Sequence, residues 1–122
     1  MTNRMILLID DDPIFVRGMK KNLQLAAYNV IDAYDGITGL MLAQKHRPDL
    51  ILLDAMMPIL DGFKVCVKLK DDPATSSIKV LMLTGAISTP EDEEKGKALA
   101  NDFVIKGGRV AVLLERIAKL LA

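Results

Sequence analysis

Short apolar runs alternate with longer amphipathic stretches along this chain. Met5-Ile6-Leu7-Leu8-Ile9 is continuous and apolar, as is Leu50-Ile51-Leu52-Leu53. Runs of that length, bounded by polar and turn residues, read as strands buried on both faces. Residues 28–33, 78–83 and 102–105 give three further strand signals. Between the strands lie helix patterns. One starts at Pro13, suited to the first helical position with Asp12 as cap, and runs to about Ala26 or Ala27. A second covers 37–46 after the Asp35-Gly36 turn, with Leu40, Met41 and Ala43 among its apolar positions; Pro48 ends it. Asp61-Gly62 opens a third over roughly 62–70. Pro90 opens a fourth, with Glu91, Asp92, Glu93 and Glu94 at its positive end. The last spans 109–121, with Val112, Leu113, Ile117, Leu120 and Leu121 on one stripe. Five strand–helix units imply an α/β fold with a parallel sheet and helices on both faces. Alternation alone does not choose the strand order.

The apolar runs end in polar residues. Asp10-Asp11-Asp12 follows the first strand, Asp54 the third, Thr84-Gly85 the fourth and Lys106 the fifth. In an open parallel sheet, all of these stand at the carboxyl edge, where such folds bind ligands. Clustered carboxylates raise one another's pKa values, and a hard divalent cation removes that conflict. Mg²⁺ takes oxygen ligands and commonly uses one or two carboxylates together with a phosphate. A carboxylate nucleophile, a metal, a hydroxyl and a lysine together suit phosphoryl transfer onto an aspartate. Taken singly, each residue has a plainer reading: loop acids, a helix cap, a strand end, a solvated lysine.

Composition narrows the classes. The chain has 122 residues, enough for a single domain over 1–122 and too few for two. Sixteen basic and sixteen acidic residues leave no net charge, which argues against broad binding of nucleic acid or anionic membrane. The lone Cys66 excludes an internal disulfide and reads as a small helix hydrophobe; the lone His46 reads as a surface residue at a helix end. No apolar stretch approaches a membrane span, and the N-terminal residues do not resemble a signal peptide, so a cytoplasmic protein is expected.

Four segments carry a more specific signal. Ile9-Asp10-Asp11-Asp12, Leu53 to Gly62, Leu83-Thr84-Gly85-Ala86 and Asp102 to Lys106 stand in order at successive strand ends. With them the chain resembles a receiver domain of bacterial two-component response regulators over essentially its whole length. The resemblance implies the flavodoxin-like strand order 2-1-3-4-5. It implies Asp54 as phosphoacceptor, and Mg²⁺ bound by Asp10, Asp11, Asp54 and the backbone carbonyl of Met56. Asp11 is then the more direct metal ligand of the acidic pair, and Asp12 a cap outside it. Thr84 and Phe103 correspond to the switch residues and Lys106 to the lysine that pairs with a phosphoryl oxygen. Ile14 and Phe15 fall where the phosphodonor docks.

The implied partners are a histidine kinase or histidine phosphotransfer protein, and a downstream protein. The chain would not be an enzyme beyond Mg²⁺-dependent self-phosphorylation and self-dephosphorylation, and is expected to hold the receiver domain without an output domain. In this family, side chains at the positions of Met56 and Ala86 border the path of the hydrolytic water. Being apolar here, they imply a long-lived phosphoaspartate.

One departure stands out. The family usually has proline after the lysine, whereas this chain has Gly107-Gly108. A cis bond before a non-proline residue costs ~3–4 kcal/mol, so the geometry of the Lys106 loop is left open. Two rivals stay in view at this point: a receiver-like binding module that is never phosphorylated, and an aspartate-based phosphatase using Asp10.

Overall fold

A computed structural model of the chain describes residues 4–85 and 89–122. Five strands and five helices alternate: β1 (Met5–Ile9), α1 (Pro13–Leu25), β2 (Asn29–Ala33), α2 (Gly36–His46), β3 (Leu50–Asp54), α3 (Gly62–Asp71), β4 (Lys79–Thr84), α4 (Pro90–Leu99), β5 (Asp102–Ile105) and α5 (Val110–Leu121). The strands form one sheet in the order β2-β1-β3-β4-β5, and every neighbouring pair is parallel. Fold class and strand order agree with the sequence reading. Most boundaries move by one or two residues.

The alternation of side chains along each strand builds two apolar layers. Leu7, Ile9, Ile51, Leu53, Val80 and Met82 face α2 and α3, meeting Ala43, Val65, Cys66 and Leu69. Ile6, Leu8, Leu50, Leu52, Leu81 and Leu83 face α1 and α5, meeting Val16, Met19, Leu23, Leu113 and Ile117. Central β1 and β3 are covered on both sides, which is why their sequences are continuously apolar. Cys66 belongs to the first layer; burial pushes its thiol pKa up, and Sγ lies 3.1 Å from the Leu99 carbonyl oxygen.

Two details depart from the expected pattern. Met41 is 63 % exposed, because α2 buries the face that carries Gly36, Gly39 and Ala43, and position 41 lies across the helix. Helix α4 is also lightly anchored. Its ten residues bury only Gly96, and Lys95 reaches the Phe63 ring of α3 at 5.1 Å. Its start is well defined: Thr89 and Asp92 form a reciprocal capping box just ahead of the acidic first turn.

Gly62 fixes the segment after β3. Its N–H donates to the Ala55 carbonyl at 2.9 Å, and a Cβ at this position would run into the Asp54 carbonyl oxygen and approach the Ala55 Cα to 2.8 Å. Both obstacles are backbone, so neither can rotate away. Gly62→Ala should therefore cost about 2–3 kcal/mol, the scale of an overpacked interior. Urea unfolding measures it, and an unchanged midpoint would contradict this account of the turn.

Candidate functional site

Pairing of β1 with β3 runs through Ile9↔Leu53, so Asp10 and Asp54 emerge side by side at the sheet's carboxyl edge. Both are buried, and Asp11 beside them is exposed. One oxygen from each of Asp10, Asp11 and Asp54 lies within 4.8 Å of the others. Asp12 turns away to cap α1, accepting from the N–H groups of Ile14 at 3.0 Å and Phe15 at 3.4 Å. Asp61 caps α3 in the same manner, through Lys64 N–H at 2.9 Å.

Lys106 closes the site from β5. Its N–H donates to the Thr84 carbonyl at 2.6 Å, and its Nζ stands 2.7 Å from Asp10 Oδ2 and 3.9 Å from Asp54 Oδ2. The peptide bond into Gly107 is trans. The lysine reaches the acids even though glycine follows it. The contact with Asp10 is close enough for a hydrogen bond, yet Oδ2 accepts none of acceptable geometry. It is an ion pair that leaves a buried carboxylate oxygen under-coordinated. Such an oxygen, beside two further carboxylates, fits a hard divalent cation. The donor set is all oxygen, which suits Mg²⁺ and not a soft metal.

The electrostatics reflect crowding. Burial, then the charge of Asp10, push the Asp54 carboxyl up to about 7; Lys106 and the Met56 N–H, at 3.3 Å from Oδ1, only partly offset this. For Lys106, burial acts downward, but the pairing with Asp10 and the charge of Asp54 outweigh it and the net shift is upward.

Thr84 is buried at the end of β4, and its hydroxyl has only a long contact, 3.4 Å, to the Gly85 carbonyl. Phe103 on β5 is half-buried, and its ring lies against Gly96 of α4, where a Cβ would collide with it. Ile14 is 79 % exposed at the head of α1, whereas Phe15 is half-buried against the α1/α5 layer. The Met56 side chain is 61 % exposed. Ala86, the other residue of the expected water path, lies outside the described residues.

Two features carried no sequence signal. Ile59, 93 % exposed in the loop after Asp54, holds φ at 69°, a region costly for a β-branched side chain. The Phe15 ring lies under the Lys106 ammonium, 4.3 Å from centroid to Nζ.

The raised Asp54 pKa has a consequence for stability. An unfolded aspartate titrates near ~3.9, so between roughly pH 4 and 7 the folded state holds a proton that the unfolded state has lost. Stability therefore falls as pH rises through that window. In metal-free protein, Asp54→Asn should be close to wild type at pH 4 and more stable by about 2–4 kcal/mol above pH 7. Denaturant unfolding in chelator across that range checks it; a difference that does not change with pH would show that Asp54 titrates normally.

The chain was compared with known proteins. The family model described as "Response regulator receiver domain" matches residues 6–118. The DNA-binding dual master transcriptional regulator RpaA of Synechocystis is 44 % identical over 95 % of this chain and 48 % of its own length. Response regulator PleD of Caulobacter vibrioides is 42 % identical over 94 % of this chain and 25 % of its own. The chain thus spans about half, or a quarter, of the curated relatives it matches. Among solved structures, Vibrio cholerae chemotaxis protein CheY4 superposes with a TM-score of 0.90 at 30 % identity, covering 98 % of this chain and all of that one. A receiver domain of a signal transduction histidine kinase from Syntrophus aciditrophicus gives 0.89 at 31 % identity, covering 97 % of this chain and 89 % of its own. With the acids, threonine and lysine at one sheet edge and a family match over nearly its whole length, the chain belongs to the response regulator receiver domain family of two-component systems.

Proposed function

We propose that Asp54 accepts a phosphoryl group from a histidine kinase or histidine phosphotransfer protein, and that the change in charge alters the face formed by α4, β5 and α5. The observation that carries this reading is the meeting of Asp10, Asp11 and Asp54 oxygens within 4.8 Å, with the Lys106 ammonium beside them. In this reading Asp10, Asp11, Asp54 and the Met56 carbonyl hold Mg²⁺, which would neutralise the acids and the incoming phosphoryl oxygens.

The chain's own groups supply the rest. An Asp54 carboxylate oxygen attacks phosphorus as the bond from phosphorus to the donor's histidine nitrogen breaks and the imidazole leaves, while Lys106 turns from Asp10 toward the arriving phosphoryl oxygen. Positioning and charge neutralisation supply most of the catalysis in such a transfer. The Thr84 hydroxyl gives up only a long contact to reach that oxygen, so its movement costs little. The Phe103 ring rests on Gly96 of a helix with one buried residue. A lightly held helix is one whose position a small local change can bias. Among the described residues no helix is long and apolar enough to cross a membrane.

Three measurements test this reading. Acetyl phosphate with Mg²⁺ should add one phosphoryl mass, mapped to Asp54 and absent from Asp54→Asn. No addition would favour a binding module that is not phosphorylated, and a label on Asp10 would favour the phosphatase chemistry.

Asp11→Ala should weaken Mg²⁺ affinity at least tenfold. Asp12→Ala should leave it near wild type and cost about 1 kcal/mol of stability as a lost helix cap. Equal losses of Mg²⁺ affinity would overturn the choice of the acidic pair.

Ile14 is exposed on the first turn after the acids, with Arg17 and Lys21 also exposed on α1. Ile14→Ser should slow transfer from the cognate phosphorylated donor about tenfold and leave the acetyl phosphate rate unchanged. An unaffected donor rate removes Ile14 from the docking surface.

A further inference from the structure

Lys106 is poorly controlled by its own loop. Its backbone is tied to Thr84, but Gly107 follows at φ 94° with nothing within 4 Å of where a Cβ would stand, and Gly108 comes next. No side chain on that loop steers four methylenes and an ammonium. The ammonium is nevertheless placed: 2.7 Å from Asp10, 3.9 Å from Asp54, and 4.3 Å from the Phe15 centroid.

Phe15 has the fixity that the loop lacks. It packs on the layer formed by α1, α5 and β4, and its N–H is held by Asp12. The Asp12 N–H in turn donates to Asp10 Oδ1 at 2.9 Å, while Lys106 pairs with Asp10 Oδ2. The contacts close into a ring: Asp10 to Asp12, Asp12 to Phe15, Phe15 to Lys106, and Lys106 back to Asp10.

We propose that Phe15 is a positioning residue for Lys106, its ring holding the ammonium at the mouth of the acidic site in place of a constrained loop. The proposal rests on the reading of Asp54 as phosphoacceptor. An aromatic face attracts a cation over a broad area and forms no directional bond with it. Lys106 can therefore slide from Asp10 toward Asp54 without leaving the ring, whereas a carboxylate alone would fix it beside Asp10. Phe15 thus serves the phosphoryl site from within.

The test has two arms. In metal-free protein, relaxation of the Lys106 ε-methylene by NMR should report an ordered side chain. Phe15→Leu should drop that order to the value of the exposed lysines, and Phe15→Tyr should keep it. An ordered Lys106 in Phe15→Leu overturns the proposal. The second arm measures the initial rate of Asp54 phosphorylation by acetyl phosphate at saturating Mg²⁺, a small donor that needs no docking surface. Phe15→Leu should slow it about fivefold, the effect expected from losing a partly exposed cation–π contact. Phe15→Tyr should restore the rate. In a Lys106→Met background, Phe15→Leu should have no further effect. An equal loss with and without the lysine would mean that Phe15 acts through packing, and the proposal fails. If wild type is never phosphorylated at Asp54, the phosphoacceptor reading fails instead, and the first arm still decides whether the ring orders the lysine.

Discussion

Two carboxylates buried beside each other govern this molecule. Asp10 and Asp54 leave adjacent parallel strands in register, Asp10 fully buried and Asp54 only 5 % exposed. The protein lessens their repulsion in three ways. It supplies Lys106 as a resident cation, gives Asp54 the Met56 N–H, and raises the affinity of Asp54 for a proton. None of these fully satisfies the site, since Asp10 Oδ2 stays without a well-formed hydrogen bond. A site in that condition favours any added cation. The same crowding weakens the protein once Asp54 is charged.

The surrounding fold divides into parts that must not move and parts that can. β1 and β3 are packed on both faces, so the carboxylates at their ends are held in fixed relation. Gly62 locks the turn behind Asp54 by close backbone approach. Across the sheet, α4 is polar and held through Gly96 against the Phe103 ring, Leu99 against the α2/α3 layer and the Lys95–Phe63 contact. Stability is therefore unequal from the centre to the β5 edge. A local change at Asp54 would be expressed where the restoring force is weakest.

Phe15 shows why contact matters more than position in sequence. Its place one turn after the acids groups it with Ile14 as a docking residue, yet the two face different surroundings. Ile14 points to solvent at the head of α1, and Phe15 turns its ring to Lys106. Residues adjacent in a helix lie about 100° apart, so neighbours in sequence commonly serve different surfaces.

Much of the molecule was legible in the sequence. The continuous apolar runs at 5–9 and 50–53 read as strands covered on both faces, because a half-exposed strand alternates. The polar residues that end them had to fall at one edge, because parallel strands share a direction. Asp12, Pro13 and Asp61 announced helix starts through local chemistry that does not depend on the rest of the fold. What the tertiary structure decided was everything that depends on distance between remote segments. The closer pairing of Lys106 with Asp10 than with Asp54, the unsatisfied Oδ2, the elevated Asp54 pKa and the ring beneath the ammonium arise between residues 44 to 96 positions apart, or from burial itself. Met41 facing solvent belongs with them, since which stripe of α2 is buried is settled by the sheet it meets. Hydrophobic patterning is a local record of burial, and local sequence determines elements and their ends. Electrostatic coupling falls off with distance through space, and only packing sets those distances.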